Sequence, residues 1–90
     1  MSLPDRKRAT ALSYAGGERA PKVVAAGQDL IADRILEIAA AAGVPIREDA
    51  ALVNALASLE LGQEIPEDLF VAVAEALAWA YRLDRAARGR

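Results

Sequence analysis

The 90-residue chain contains neither cysteine nor histidine. Without thiols there is no disulfide framework, and without thiols or imidazoles there is no Cys- or His-based zinc site. Ser-His-Asp and Cys-His catalysis lose their base as well. Ser13, Ser58 and Thr10 are the candidate nucleophiles, and no residue is placed to activate them. Aromatic residues are few: one Trp, one Phe and two Tyr. Long apolar runs are missing too. Ile38–Ile46 is broken by Gly43 and Pro45, and Leu69–Ala74 is short, against the roughly 20 residues a spanning helix needs. The opening Met-Ser-Leu-Pro-Asp-Arg-Lys-Arg lacks an apolar core, so no secretory signal is expected. The absence of Cys fits the cytoplasm. Glu60, Glu64 and Glu67 resemble a carboxylate metal site only superficially, because they straddle Gly62 and Pro66. No metal, no cofactor and no catalytic residue is expected, and the chain reads as a non-enzyme.

What is present is alanine. Hydrophobic residues make up 54% of the chain, but 22 of them are Ala, leaving 27 larger apolar residues. That is too many for a solvated disordered chain and few enough for only a modest core, so a single domain that leans on a partner is expected. Charge is unevenly placed. Residues 1–8 and 82–90 hold seven basic and two acidic groups, whereas residues 9–81 hold four basic and eleven acidic. The acidic body repels phosphate and argues against nucleic acid as a partner; an accessory nucleic-acid-binding domain using the basic ends, or a general protein-interaction domain, is the alternative. The charge pattern suggests a flexible basic arm over 1–8, one domain over 9–85 and a flexible basic tail over 86–90.

Along the chain, Arg8–Tyr14 alternates with period two and reads as a strand. Ala15-Gly16-Gly17-Glu18 is a turn signal, and Lys22–Ala26 a second strand ended by Gly27. A helix is expected over Gln28–Ala42, with Ile31, Ile35, Ile38 and Ala42 on its buried face and Leu36 exposed on the acidic side. Gly43 stops it. Val44–Arg47 reads as a third, short strand, which makes a right-handed βαβ unit with two parallel strands. Asp49 caps a second helix from Ala50 to about Ser58, with Leu52, Val53, Leu56 and Leu59 apolar. Leu61–Ile65 is a connector, and Pro66 opens a last helix from Glu67 to about Arg85. Its buried stripe is Leu69, Val73, Ala76, Leu77, Ala80 and Leu83, flanked by Phe70 and Tyr81 on one side and Trp79 on the other. The fold class is α+β: a small mixed sheet of about three strands with a βαβ unit, packed against three to four helices.

The wording inside these elements is more specific than their order. Ala20-Pro21-Lys22-Val23-Val24-Ala25-Ala26-Gly27 leads into Asp29-Leu30-Ile31-Ala32, then Gly43-Val44-Pro45-Ile46, then Leu61-Gly62-Gln63-Glu64-Ile65-Pro66, then Ala72–Ala78 with Tyr81-Arg82. From about Ala9 to Leu83 this resembles the cytoplasmic C-terminal domain of the FlhB/YscU family, the export-switch components of flagellar and virulence type III secretion. Members of that family also carry a membrane domain, for which no segment here is apolar enough. They carry an Asn-Pro-Thr-His motif at which the chain cuts itself. Ungapped, that motif falls on Pro4, Asp5, Arg6 and Lys7, none of which matches, and the only Asn is Asn54, followed by Ala55. Self-cleavage is therefore not carried over, and the strand preceding the motif has no counterpart. The resemblance implies the downstream half that the family's cut generates, and both the kinship and the docking role are tied to a parallel strand pair bridged by Gln28–Ala42.

The function this implies is a cytoplasmic interaction module of the type III (flagellar) export apparatus, peripheral to the inner membrane through its partners. Those partners are export-gate proteins, export substrates or a full-length FlhB homologue, with no small-molecule substrate and no nucleic acid. The partner-binding candidates are Arg6, Lys7, Arg8, Glu18, Lys22 and Leu36. Arg6-Lys7-Arg8 reads either as a contact to an anionic surface or as a solvated arm. The turn over Ala15–Pro21 with Lys22 reads either as a recognition surface or as ordinary hairpin chemistry. An unpaired sheet edge, completed by a strand from another chain, is the docking mode the missing strand suggests.

Overall fold

A computed structural model of the chain describes residues 7–15 and 17–88. Two antiparallel strands, β1 (Arg8–Ser13) and β2 (Lys22–Gln28), form the sheet. Helices α1 (Leu30–Ala41), α2 (Ala50–Leu56) and α3 (Phe70–Arg88) follow, the last entered through one 3-10 turn at Glu67–Leu69. The α+β class stands. The third strand does not: among the described residues Val44–Arg47 forms no regular element and pairs with no strand, so the βαβ unit and its parallel pair are absent there. The place beside β2 is taken by a later segment. Gly62 donates to the Val23 carbonyl (2.7 Å), Val23 to Gln63 (3.0 Å) and Ile65 to Pro21 (2.9 Å), with an antiparallel bridge between Lys22 and Glu64. Those bonds occupy the start of the β2 edge, and Pro45 has no amide hydrogen to compete for a place in a ladder.

Period-two alternation divides the sheet into two faces. Thr10 and Leu12 oppose Ala26 and Val23 on one; Ala9 and Ala11 oppose Gly27 and Ala25 on the other. Val24 has no residue opposite it, because the register shifts between Ala11 and Leu12, which is a β-bulge. The first face carries the core: Val23, Leu56, Ile65 and Val73 are buried together, with Leu12, Leu52, Leu59, Leu69 and Leu77 around them. This unites β2, α2, the connector and the first turns of α3. In α3 the expected stripe holds through Ala80, while Leu83 is 46% exposed. The helix also runs on to Arg88, past the expected end at Arg85.

The second face is built of Ala and Gly, and α1 packs on it. Ala32 is fully buried, with Ile35, Leu36 and Ala39 half-buried beside it. The expected face is thus rotated: Ile31 and Ile38 are 61% and 56% exposed, and Leu36 is covered. A floor without side chains admits a helix on its smallest residue, not on its largest. Gly27 does not end β2 but sits within it, because a Cβ there would lie 2.1 Å from Ile31 Cγ2. Local stop signals behave as read. Gly43 (φ 74°) donates to Ala40, and Val44 to Ala39, which is a Schellman closure. The Asp49 carboxylate accepts from the Leu52 amide at 3.0 Å and caps α2.

Candidate functional site

Three surface features share the hairpin and its helices. The first is the outer edge of β1. Among the described residues the sheet has two strands, and no backbone group outside β2 pairs with Arg8–Ser13. None of Ala9 to Ser13 bears a charge, and none is proline, so two devices that normally protect an edge are missing.

The second is a cleft of about 220 Å³ at the end of the sheet remote from the hairpin turn. Thr10 and Ala26 line it from the core face, Ala9, Gly27 and Gln28 at the end of the sheet, and Val53 and Ala57 from the helix side. Arg8 also lines it and donates from Nη1 to Asn54 Oδ1 at 3.2 Å, which ties β1 to α2. The third is an apolar groove of about 230 Å³ between the turn and α3, lined by Tyr14, Arg19, Pro21, Phe70, Ala74 and Leu77.

The turn beside that groove is held by local chemistry. Glu18 donates its amide to the Ala15 carbonyl and accepts from the Ala15 amide through Oε2, both at 3.1 Å. Arg19 then reaches Glu64 Oε1 at 2.9 Å, joining the turn to the connector. That hydrogen bond first, and the carboxylate charge second, push the Arg19 guanidinium above its ordinary pKa.

The candidate residues read from sequence do not converge. Arg6 lies outside the described residues. Lys7 and Arg8 belong to the fold, which begins earlier than the expected boundary at residue 9. The Lys7 carbonyl accepts from the Asp29 amide at 2.8 Å, Lys7 Nζ pairs with Asp33, and Arg8 starts β1. Glu18 stitches the turn, and Lys22 sits at the bridge to Glu64. Leu36 lies half-buried on α1, removed from the solvent-facing role it was assigned. Trp79 is half-buried and Tyr81 exposed.

Sequence reading missed Arg19 and Asp29. Nothing local marks Arg19, whose partner lies 45 residues away. Asp29 has φ 53° and ψ −117°, a glycine-type conformation at the N-cap of α1, and its side chain makes no capping bond. The sequence reading placed Asp29 inside the helix that follows the strand; the structure makes it the single residue between Gln28 of β2 and Leu30 of α1. No group of three or more acidic side chains among the described residues is arranged to hold a metal ion.

Comparison with known proteins places this geometry. Residues 6–80 match the model of the FlhB HrpN YscU SpaS family. The YlqH protein of Bacillus subtilis (strain 168) is 39% identical over 85 residues, covering 93% of this chain and 91% of its own. The flagellar biosynthetic protein FlhB of Escherichia coli (strain K12) is 52% identical over 67 residues; these cover 73% of this chain but only 18% of that protein. The crystal structure of the cytoplasmic domain of FlhB from Shewanella putrefaciens superposes with a TM-score of 0.85 at 36% identity, covering 92% of this chain and 69% of that domain.

Proposed function

Because this chain belongs to the FlhB HrpN YscU SpaS family, we propose that it serves type III protein export as a docking module without enzymatic activity. In this role the small sheet is completed by a strand from another chain, supplied by an export-gate component or by a membrane-anchored homologue. The observation that carries this reading is the open outer edge of β1, six residues long and free of charge beyond Arg8. Main-chain hydrogen bonds along such an edge supply affinity, and the side chains on either face supply choice of partner.

The exposed apolar residues support the same reading: Leu30, Ile31 and Ile38 on α1, with Val44 and Ile46 after it, all lie exposed. Among the described residues no helix is long and apolar enough to cross a membrane. In the proposed role the domain works on the cytoplasmic side of the export apparatus, held near the inner membrane through its partner. The acidic body, with four basic and eleven acidic groups over residues 9–81, favours a protein partner over nucleic acid.

The test is to mix the purified chain with the cytoplasmic domain of a membrane-anchored FlhB and pass the mixture over a size-exclusion column. Co-migration is the expected result. Two separate peaks at high concentration overturn the reading.

A further inference from the structure

The core face of the sheet is unevenly filled. Near the hairpin turn Leu12 and Val23 meet Leu56, Ile65 and Val73 in close packing. At the far end Thr10 and Ala26 face each other across the ladder, and the space between them and Val53 and Ala57 is the 220 Å³ cleft. A closed apolar cavity of about 150 Å³ is enough to admit a benzene ring. The cleft is therefore the right size for one large side chain and too small for a folded element.

Its position relative to the open edge gives it a use. A strand added to β1 lies about 4.8 Å beyond it and turns every second side chain onto the face that carries Thr10. On that face α2 packs mainly against β1, so such a side chain descends between the new strand, Thr10 and the Val53–Ala57 wall. The one cation lining the cleft is Arg8, whose guanidinium is tethered to Asn54. A guanidinium at the rim favours a ring over an aliphatic chain, through attraction to the π face.

We propose that this cleft is the anchor pocket for the partner strand: the segment that completes the sheet along β1 carries an aromatic side chain on its α2-facing side, seated between Thr10, Val53 and Ala57 beside Arg8. The proposal rests on the docking reading above and deepens it by naming the chemistry of the partner. Buried aromatic anchors of this kind dominate small interfaces.

The probe is a capped heptapeptide, Thr-Val-Thr-Phe-Thr-Val-Thr, compared with its Phe-to-Ala analogue by titration into the ¹⁵N-labelled chain. The expected result is a shift of amides along β1 and at Thr10, Ala26, Val53 and Ala57, with at least tenfold tighter binding of the Phe peptide. Ala57→Leu, at an exposed position beyond the last turn of α2, fills the cleft and is expected to abolish that tenfold difference while the β1 shifts persist. Equal binding of both peptides through β1 overturns the anchor pocket and leaves edge docking intact. Shifts confined to the groove at Tyr14 and Phe70 overturn it as well. No shift along β1 with either peptide overturns both the pocket and the docking reading.

Discussion

Replacing Gly27 by Ala tests the contact that seats α1 on the sheet. A methyl group at Gly27 would sit 2.1 Å from Ile31 Cγ2 and 2.7 Å from Ile31 Cβ, where carbon atoms in contact normally stand about 3.5–4.0 Å apart. Rotation of the exposed Ile31 side chain removes the first overlap. It does not move Cβ, which is fixed by the helix backbone, so α1 must lift by roughly 1 Å to restore contact distance. That loosens the packing around Ala32, which is fully buried, and around Ile35, Leu36 and Ala39. Overpacking of this kind costs about 1–3 kcal/mol, and the lower flexibility of Ala in the unfolded chain returns about 0.5–1 kcal/mol. The net loss is about 1–2 kcal/mol, which in a domain of this size lowers Tm by roughly 5–15 °C. Thermal unfolding followed by far-UV circular dichroism reads it directly. Adding Ile31→Ala to Gly27→Ala relieves only the Cγ2 overlap, so less than half of the loss should return. A Gly27→Ala protein that melts at or above the parent temperature refutes the close approach of α1 to β2.

Three further outcomes follow from other positions. Asp49→Ala removes the carboxylate that accepts from the Leu52 amide and should cost about 1 kcal/mol in urea unfolding; an unchanged midpoint would mean that α2 is held by packing alone. Asp29→Gly relieves about 1–3 kcal/mol of strain at φ 53°, ψ −117° against about 0.5–1 kcal/mol of added unfolded-chain flexibility, for a net gain of about 1 kcal/mol; a lower Tm would refute the strain at Asp29. The Arg19–Glu64 pair raises the arginine pKa. Its contribution through Arg19 is fully present below the unfolded value and is lost only as pH rises through the folded one, in strongly alkaline solution. Comparing Arg19→Gln with the parent, the stability difference should therefore stay constant from neutral to moderately alkaline pH, and a step in that window would contradict the assignment.

Much of the kinship was legible from residues in order, and it did not need the parallel strand pair to which the resemblance was tied. Among the described residues that pair is absent, while the match over residues 6–80 stands. Of the six residues nominated for partner contact, four of the five that are described are engaged inside the fold: Lys7 with Asp33 and Asp29, Arg8 with Asn54, Glu18 with Ala15, and Lys22 at the Glu64 bridge. Of these, Arg8 alone also lines a surface with docking geometry, the cleft whose other walls include Thr10, Ala26, Val53 and Ala57; the groove is made of residues such as Pro21, Phe70 and Leu77, none of them nominated. Small residues give no signal in a sequence, because what matters is the space they leave.

The sequence alone determined the features that depend on neighbours along the chain. Gly43 closes α1, Asp49 opens α2, Pro66 precedes the turn into α3, and the stripe Leu69, Val73 and Leu77 names the face of α3 that turns inward. Each is settled within one or two turns by backbone conformation, missing amide hydrogens or helical period. Tertiary structure decided which segment lies beside β2 and which face of α1 is buried. Val44–Arg47 carries the stronger strand signal, Val44 and Ile46, whereas Gly62–Ile65 holds Gln63 and Glu64 beside a single large apolar residue, and α1 carries apolar residues on both sides. Local preference therefore favoured the wrong segment in the first case and was nearly balanced in the second, and contacts between residues far apart in the chain chose: the bonds from Pro21 and Val23 to Gly62–Ile65, and the bare Ala-Gly floor that receives Ala32.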